Sequence, residues 1–257
     1  MVFISSVFGY TRELFLQLTL YLFMRLDKFI CKSTSLSLLQ AREAIENGQV
    51  HVNQQCVLHV NTQVHENKHI SLAGKQLFAR PSRYIMINKP AGCVCSNVDE
   101  AYPSVFTAVD LPLDEQLHIA GRLDADTTGL VLATDDGRWS FSITRPEQHC
   151  LKVYRVNLSK PLTPQAIQAL ETGLQLQGEP QPTRPAVVKL ISDKQILLSI
   201  SEGKFHQVKR MLAAVGNRVT ALHRQQIADI CLNVEPASWR ELSSAEVACI
   251  KQVESEK

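Results

Sequence analysis

Gly121-Arg122-Leu123-Asp124-Ala125-Asp126-Thr127-Thr128-Gly129-Leu130 runs directly into Val131-Leu132-Ala133-Thr134. The second part is an apolar run of strand length; the first is polar, with two carboxylates, an arginine, two hydroxyls and two glycines. Similar apolar runs recur at 84–88 (YIMIN), 154–158, 186–191 and 195–200, and each reads as a strand. Helices stand between only some of them. Thr163-Pro164 opens one that Gly173 closes, with Thr as N-cap and Pro in the first turn. Another spans 206–215, where Val208, Met211, Leu212 and Val215 form one apolar stripe, so that Lys209 and Arg210 point away from it. Strands clustered without regular βαβ alternation predict a mixed or antiparallel sheet and an α+β fold.

Upstream lies a differently patterned unit. Residues 36–47 carry apolar side chains at helical spacing, Ser37 caps them and Gly48 ends them; a shorter helix is expected around 26–31. Val50/Val52 and Val57/Val60, split by Asn53-Gln54-Gln55, suggest a hairpin. The expected organisation is a small unit at 24–72, a linker at 73–82 (AGKQLFARPS) and a large domain at 83–253. Residues 1–23 are apolar but interrupted by Arg12 and Glu13, with neither a membrane span nor a clear signal-peptide pattern. Met24 reads as a domain start. The extension is therefore expected to come from an over-long gene prediction, with a real amphipathic extension as the alternative.

The net charge of +2 on 257 residues says little about partners; its distribution says more. Residues 203–224 hold five cations (Lys204, Lys209, Arg210, Arg218, Arg224) and no carboxylate, whereas the chain beyond 224 holds three basic and six acidic residues. Such a block suits a phosphate-binding face, although a solvated helix face has the same composition. The seven cysteines are odd in number and scattered, which argues for reduced thiols in a cytoplasmic protein rather than a disulfide framework. Cys93-x-Cys95 lacks zinc spacing and a second pair, so no metal is expected.

Three readings of the 121–130 cluster stay open on residues alone. Asp124 is a nucleophile or base with Arg122 organising substrate; Asp124 and Asp126 bind a metal, for which no third ligand is evident; or the Asp and Thr side chains merely cap a turn.

Four motifs in this order resemble a known family. NKPAGCVCS (residues 88–96), GRLDADTTGL, KVY (152–154) and SEGKFHQVKRM (201–211) look like the RsuA-type pseudouridine synthases. Residues 24–72 look like the S4 RNA-binding domain that precedes their catalytic domain. The resemblance covers nearly everything from residue 24 to about 250.

It implies that Asp124 is the catalytic aspartate and that Tyr154 stacks on the target uracil. It puts Lys209 where a basic residue pairs with that aspartate, and gives Arg122 a part in opening or holding the RNA. The reaction is a redox-neutral isomerisation, so no cofactor is implied. The carboxylate has to be ionised at neutral pH, which a nearby cation favours. It could attack C1′, attack C6 or remove the C2′ proton. Expected phosphate contacts are Lys204, His206 and Arg210 in the large domain and Arg25, Lys28, Lys32 and Arg42 in the small one. The small unit departs from the family pattern at Asn53-Gln54 and Leu38-Leu39-Gln40.

GKFHQVKRMLAAVGN, with His206 where large-subunit enzymes tend to carry arginine, and TDDGRWS (134–140) resemble the small-subunit type. That implies action on 16S ribosomal RNA, of the pseudouridine-516 type, in a small-subunit assembly intermediate, by a monomer that does not engage membranes. A 23S enzyme is the alternative within the family. A non-catalytic ribosome-assembly factor and a glycosidase using Asp124 and Asp126 as a dyad are alternatives from other classes.

Overall fold

The structure, a computed structural model, describes residues 23–65, 67–112 and 117–250. Residues 1–22, all but the last residue of the stretch read as an extension, and 251–253, the end expected for the large domain, lie outside the described residues. The chain divides into two compact units between Pro81 and Ser82.

In the first unit, β1 (Phe23–Arg25) leads into α1 (Leu26–Ser33) and α2 (Leu38–Glu46). α2 begins on a full capping box: Ser37 accepts from the Gln40 N–H while Gln40 accepts from the Ser37 N–H. Four short strands follow as β2 (Val50–Val52), β3 (Gln55–Cys56), β4 (Gln63–His65) and β5 (Ile70–Leu72), then β6 (Lys75–Gln76). β3-β2-β5-β6 make one antiparallel sheet, and β1 pairs with β4. The β2–β3 turn takes positive φ at both Asn53 (48°) and Gln54 (67°), the requirement of a tight primed hairpin. Leu26, Phe29, Ile30, Ala41, Ile45, Val50, Val64 and Ile70 fill the core.

Two sequence expectations change here. Phe23, assigned to the extension, pairs with His65. The stretch read as a linker is in part a second hairpin: Ala73-Gly74 turns at positive φ, Lys75–Gln76 pairs with β5, and Leu77 enters the core.

In the second unit, β7 (Tyr84–Lys89), α3 (Val105–Ala108), β8 (His118–Ala120), β9 (Thr128–Thr134), α4 (Gly137–Thr144) and β10 (Lys152–Leu158) are followed by α5 (Pro164–Thr172). Next come β11 (Val187–Ser192), β12 (Gln195–Ile200), α6 (Gln207–Ala214), β13 (Val219–Ile227), β14 (Ile230–Cys231), β15 (Trp239–Glu241) and α7 (Ser244–Ala248). One nine-stranded sheet runs β11-β12-β10-β13-β9-β7-β15, with β14 beside β13 and β8 beside β9. It is antiparallel except where β13 meets β9 in parallel.

The apolar run of β9 is explained by burial on both faces. Val131 and Ala133 pack with Ile85, Ile87, Val156 and Leu212; Leu130 and Leu132 pack with Met86, Trp139 and Ile227. The stripe of α6, Val208-Met211-Leu212, closes the first of these cores. The sheet therefore fixes the start of β9, and with it the loop carrying Asp124, against β13 and α6.

Candidate active site

The loop between β8 and β9 carries Asp124, and two buried cations brace it from below. Lys89, fully buried, donates through Nζ to the carbonyls of Pro90 (3.0 Å), Ala125 (3.2 Å) and Thr127 (2.9 Å). Arg224 donates through Nη2 to the Gly121 carbonyl (2.7 Å) and through Nε to that of Leu130 (2.8 Å). The Thr127 N–H closes a turn on the Asp124 carbonyl, and Cys95 Sγ accepts from the Leu123 N–H. A buried carbonyl without a donor is costly, so these cations fix the loop's backbone as well as its charge.

Gly129 permits this assembly. It sits at φ +106° where β9 meets β13, and a Cβ there would lie 2.3 Å from the Arg224 carbonyl oxygen.

Above the loop, Asp124 meets two partners from the start of α6. Lys209 Nζ lies 2.9 Å from its Oδ2, and His206 Nε2 lies 3.3 Å from its Oδ1. His206 precedes the helix in a left-handed conformation (φ 48°), and such outliers gather at functional sites. Lys209 also reaches Asp126 Oδ1 at 2.6 Å. Burial alone would lower the Lys209 ammonium, but Asp126 and Asp124 outweigh it and hold it above its ordinary range. Lys209 in turn holds the Asp126 carboxyl below its ordinary range.

Tyr154 stands on β10 opposite Arg224 of β13. The register slips by one between Val153 and Tyr154, leaving Gln225 as the extra residue of a bulge. The tyrosine is almost wholly buried, and Arg224 Cζ lies 6.0 Å from its ring centroid.

A cleft of about 690 Å³ runs over these groups, lined by Arg122, Asp124, Tyr154, Lys204, His206 and Lys209 among others. Its size suits a single nucleoside. Arg122 is exposed at its wall. The cleft thus joins an aromatic floor, a carboxylate held by two basic groups, and a cationic rim. That combination can receive a flipped base and place a carboxylate beside its ribose.

Most of the other expected contacts are tied to carboxylates. Arg210 does not line the cleft. It pairs with Glu179 (2.7 Å), as does Lys204 (3.3 Å), and Arg210 also donates to the Phe205 carbonyl. These two cations hold the Glu179 carboxyl below its ordinary range and anchor the segment before α6, instead of standing free for phosphate. In the first unit, Arg25 and Arg42 both bind the fully buried Asp27, and Lys32 is buried as well. Lys32 lies on the covered side of α1, where the Arg80 N–H bonds its carbonyl. Burial would raise the Asp27 carboxyl, but the two arginines hold it below its ordinary value. Lys28 remains half-exposed.

Sequence reading passed over Lys89, Arg224 and Lys152 as site residues. Lys152 is buried at the cleft and donates to the carbonyls of Ile143 (3.1 Å) and Cys150 (2.8 Å); burial pushes its ammonium down from the ordinary value. Among the described residues no cluster of three or more His, Cys, Asp or Glu side chains is placed to hold a metal ion. Among them, too, no helix is long and apolar enough to cross a membrane.

Known proteins are similar to this chain in sequence and fold. The family description for RNA pseudouridylate synthase matches residues 83–214, and that for the S4 domain matches residues 24–70. The ribosomal small subunit pseudouridine synthase A of Haemophilus influenzae is 44% identical over 227 residues, covering 87% of this chain and 98% of the relative. The protein of the same name from Escherichia coli (strain K12) is 43% identical and is covered in full, across 88% of this chain. A crystal structure of a pseudouridylate synthase superposes with a TM-score of 0.65 at 43% identity, over 89% of this chain and all of the other.

Proposed function

The chain belongs to the RNA pseudouridylate synthase family, and on that premise we propose that it converts one specific uridine of 16S ribosomal RNA to pseudouridine, with Asp124 as the catalytic carboxylate. One observation carries the reading: Asp124, held by Lys209 and His206, shares a nucleoside-sized cleft with the buried ring of Tyr154. The names of the 43–44% identical relatives support the small-subunit RNA. The finer assignment to position 516 rests on the resemblance of residues 203–217 and 134–140 to the small-subunit type.

The reaction breaks the N1–C1′ bond and forms a C5–C1′ bond; C5 gives up its proton and N1 gains one. Nothing is oxidised or reduced. Extruding the uracil takes roughly a few kcal/mol, part of which stacking on Tyr154 recovers. Asp124 acts at the sugar or base of the flipped nucleotide, by attack at C1′, attack at C6 or removal of the C2′ proton. Lys209 orients the carboxylate through its 2.9 Å contact with Oδ2. Arg122, exposed at the cleft wall, contacts the RNA backbone beside the flipped residue.

The S4 unit supplies a second grip, in which Lys28 is the readiest phosphate contact, since Arg25 and Arg42 are shared with Asp27 and Lys32 is buried. The substrate is 16S RNA in a small-subunit assembly intermediate, engaged by a monomer, which puts the enzyme in the cytoplasm.

Mapping pseudouridine in 16S RNA from a deletion strain, complemented with wild type or with Asp124→Asn, tests this. One modification present with wild type and absent with the variant, at equal protein level, is expected. An unchanged 16S map with a lost 23S site would move the substrate to the large subunit. No change in either would reduce the protein to a binding factor.

A further inference from the structure

Phe205 is 72% exposed at the rim of the cleft, yet it is not loosely held. One face of its ring stacks on His206, with centroids 3.8 Å apart and planes 19° from parallel. Its carbonyl accepts from Arg210 Nη1 at 2.9 Å. On one side of it, the Lys204 N–H donates to Gln207 Oε1 at 2.8 Å, and Gln207 Nε2 donates to the buried Glu202 at 2.7 Å. On the other, His206 is fixed to Asp124. The chain therefore spends a network of hydrogen bonds on presenting a large apolar ring to water. A ring so exposed gains little from folding. A lone phenylalanine among Lys204, His206 and Arg122 is also not the apolar patch that a protein partner requires.

We propose that Phe205 is a second stacking platform, which receives the nucleobase next to the target uridine and so fills the gap left in the RNA stack when the uracil turns into the cleft. The proposal rests on the reading of the cleft as a seat for a flipped uridine. Tyr154 at the floor takes the flipped base; Phe205 at the rim takes its neighbour. Phenylalanine has a π-face and no hydrogen-bonding group, so the seat tolerates any base. Phe205 stacks on His206 and His206 contacts Asp124, so a base seated on Phe205 sets the distance from the RNA strand to the carboxylate.

The test is a cycle between protein and RNA, read as single-turnover pseudouridine formation by the full chain on RNA containing the mapped uridine. Phe205→Leu slows the reaction roughly 5- to 100-fold, and Phe205→Tyr stays within about threefold of wild type. Removing the base 5′ or 3′ of the target slows wild type by a similar factor on one side. On that abasic RNA, Phe205→Leu brings little further loss. Equal rates for wild type and Phe205→Leu would overturn the proposal. So would a slow Phe205→Leu whose deficit persists on both abasic RNAs, because the ring would then serve only to hold His206. Normal rates with lost attachment to a ribosomal protein would overturn it in favour of a protein contact. If wild type forms no pseudouridine in the RNA, or Asp124→Asn keeps full activity, the reading of the cleft fails first, and is recognised before any Phe205 variant is measured.

Discussion

Lys209 Nζ bridges two carboxylates, 2.9 Å from Asp124 and 2.6 Å from Asp126. The shorter contact goes to the more exposed partner: the Asp126 side chain is 73% exposed and that of Asp124 28%. An exposed ion pair is worth little, so Asp126 serves mainly to hold the lysine in place. Lys209→Met leaves Asp124 with His206 alone and lets the carboxylate turn. Catalysis is expected to fall on the order of 100-fold, the scale of an angstrom's misplacement. Asp126→Asn is expected to lose only a few-fold. Because the C5–H bond breaks, tritium release from RNA labelled at uridine C5 measures both. Equal losses in the two variants would refute this division of roles.

Gly129 cannot be replaced by alanine without moving β13. The added Cβ would lie 2.3 Å from the Arg224 carbonyl oxygen and 2.9 Å from its nitrogen, with φ at +106°. Gly129→Ala is expected to destabilise the large unit by roughly 3 kcal/mol or more. Gly137→Ala, with nothing within 4 Å of the new Cβ, serves as control and should leave the urea midpoint near wild type.

Lys89 is a structural cation under the catalytic loop. In Lys89→Met the Thr127 carbonyl loses its Nζ donor, at roughly 1–3 kcal/mol for a buried group left unpaired, while the Ala125 carbonyl keeps the Gly92 N–H. Both the urea midpoint and activity are expected to fall. Lys89→Arg is not a rescue, because the planar fork does not fit three carbonyls converging on one nitrogen. A variant with wild-type stability and activity would show that the loop holds itself.

How far the sequence spoke for itself depended on whether the signal was local. Ser37 and Gln40 sit three apart and fix the start of α2; Asn53-Gln54 sets a hairpin; the run 130–133 marks a strand covered on both faces. What escaped was set by partners distant in sequence. The hairpin at 73–76 carries no apolar pattern, and only β5 makes it a sheet edge. β4 gained its place from β1, some forty residues earlier. Lys204 and Arg210 read as free cations because Glu179 lies 25 and 31 residues away. In the same way Asp27 takes up Arg25 and Arg42, and Lys89 and Arg224 look like surface charge until the sheet buries them. Motif order located Asp124, Lys209 and Tyr154 in the chain, and the fold brings all three to one cleft. The buried cations beneath them needed the sheet.

Acid should unfasten the helix Ser244–Ala248. Glu246 completes a capping box with Ser243 and pairs with Arg240 (2.6 Å). Arg240 chiefly, with Ser243, outweighs the effect of burial and holds its carboxyl down at about 2, against an ordinary 4.5. A folded-state value below the unfolded one means stability that is fully present above pH 4.5 and lost as pH falls toward 2. The pair is partly open to water, which limits its worth to about 1 kcal/mol. Wild type should therefore exceed Glu246→Gln in urea midpoint at pH 7, and the gap should narrow steadily below pH 4.5. Trp139, whose indole N–H bonds the Val247 carbonyl in this helix, supplies the fluorescence signal. A gap that stays constant to pH 2.5 would mean that the Glu246 side chain contributes through packing or neutral hydrogen bonds rather than its charge.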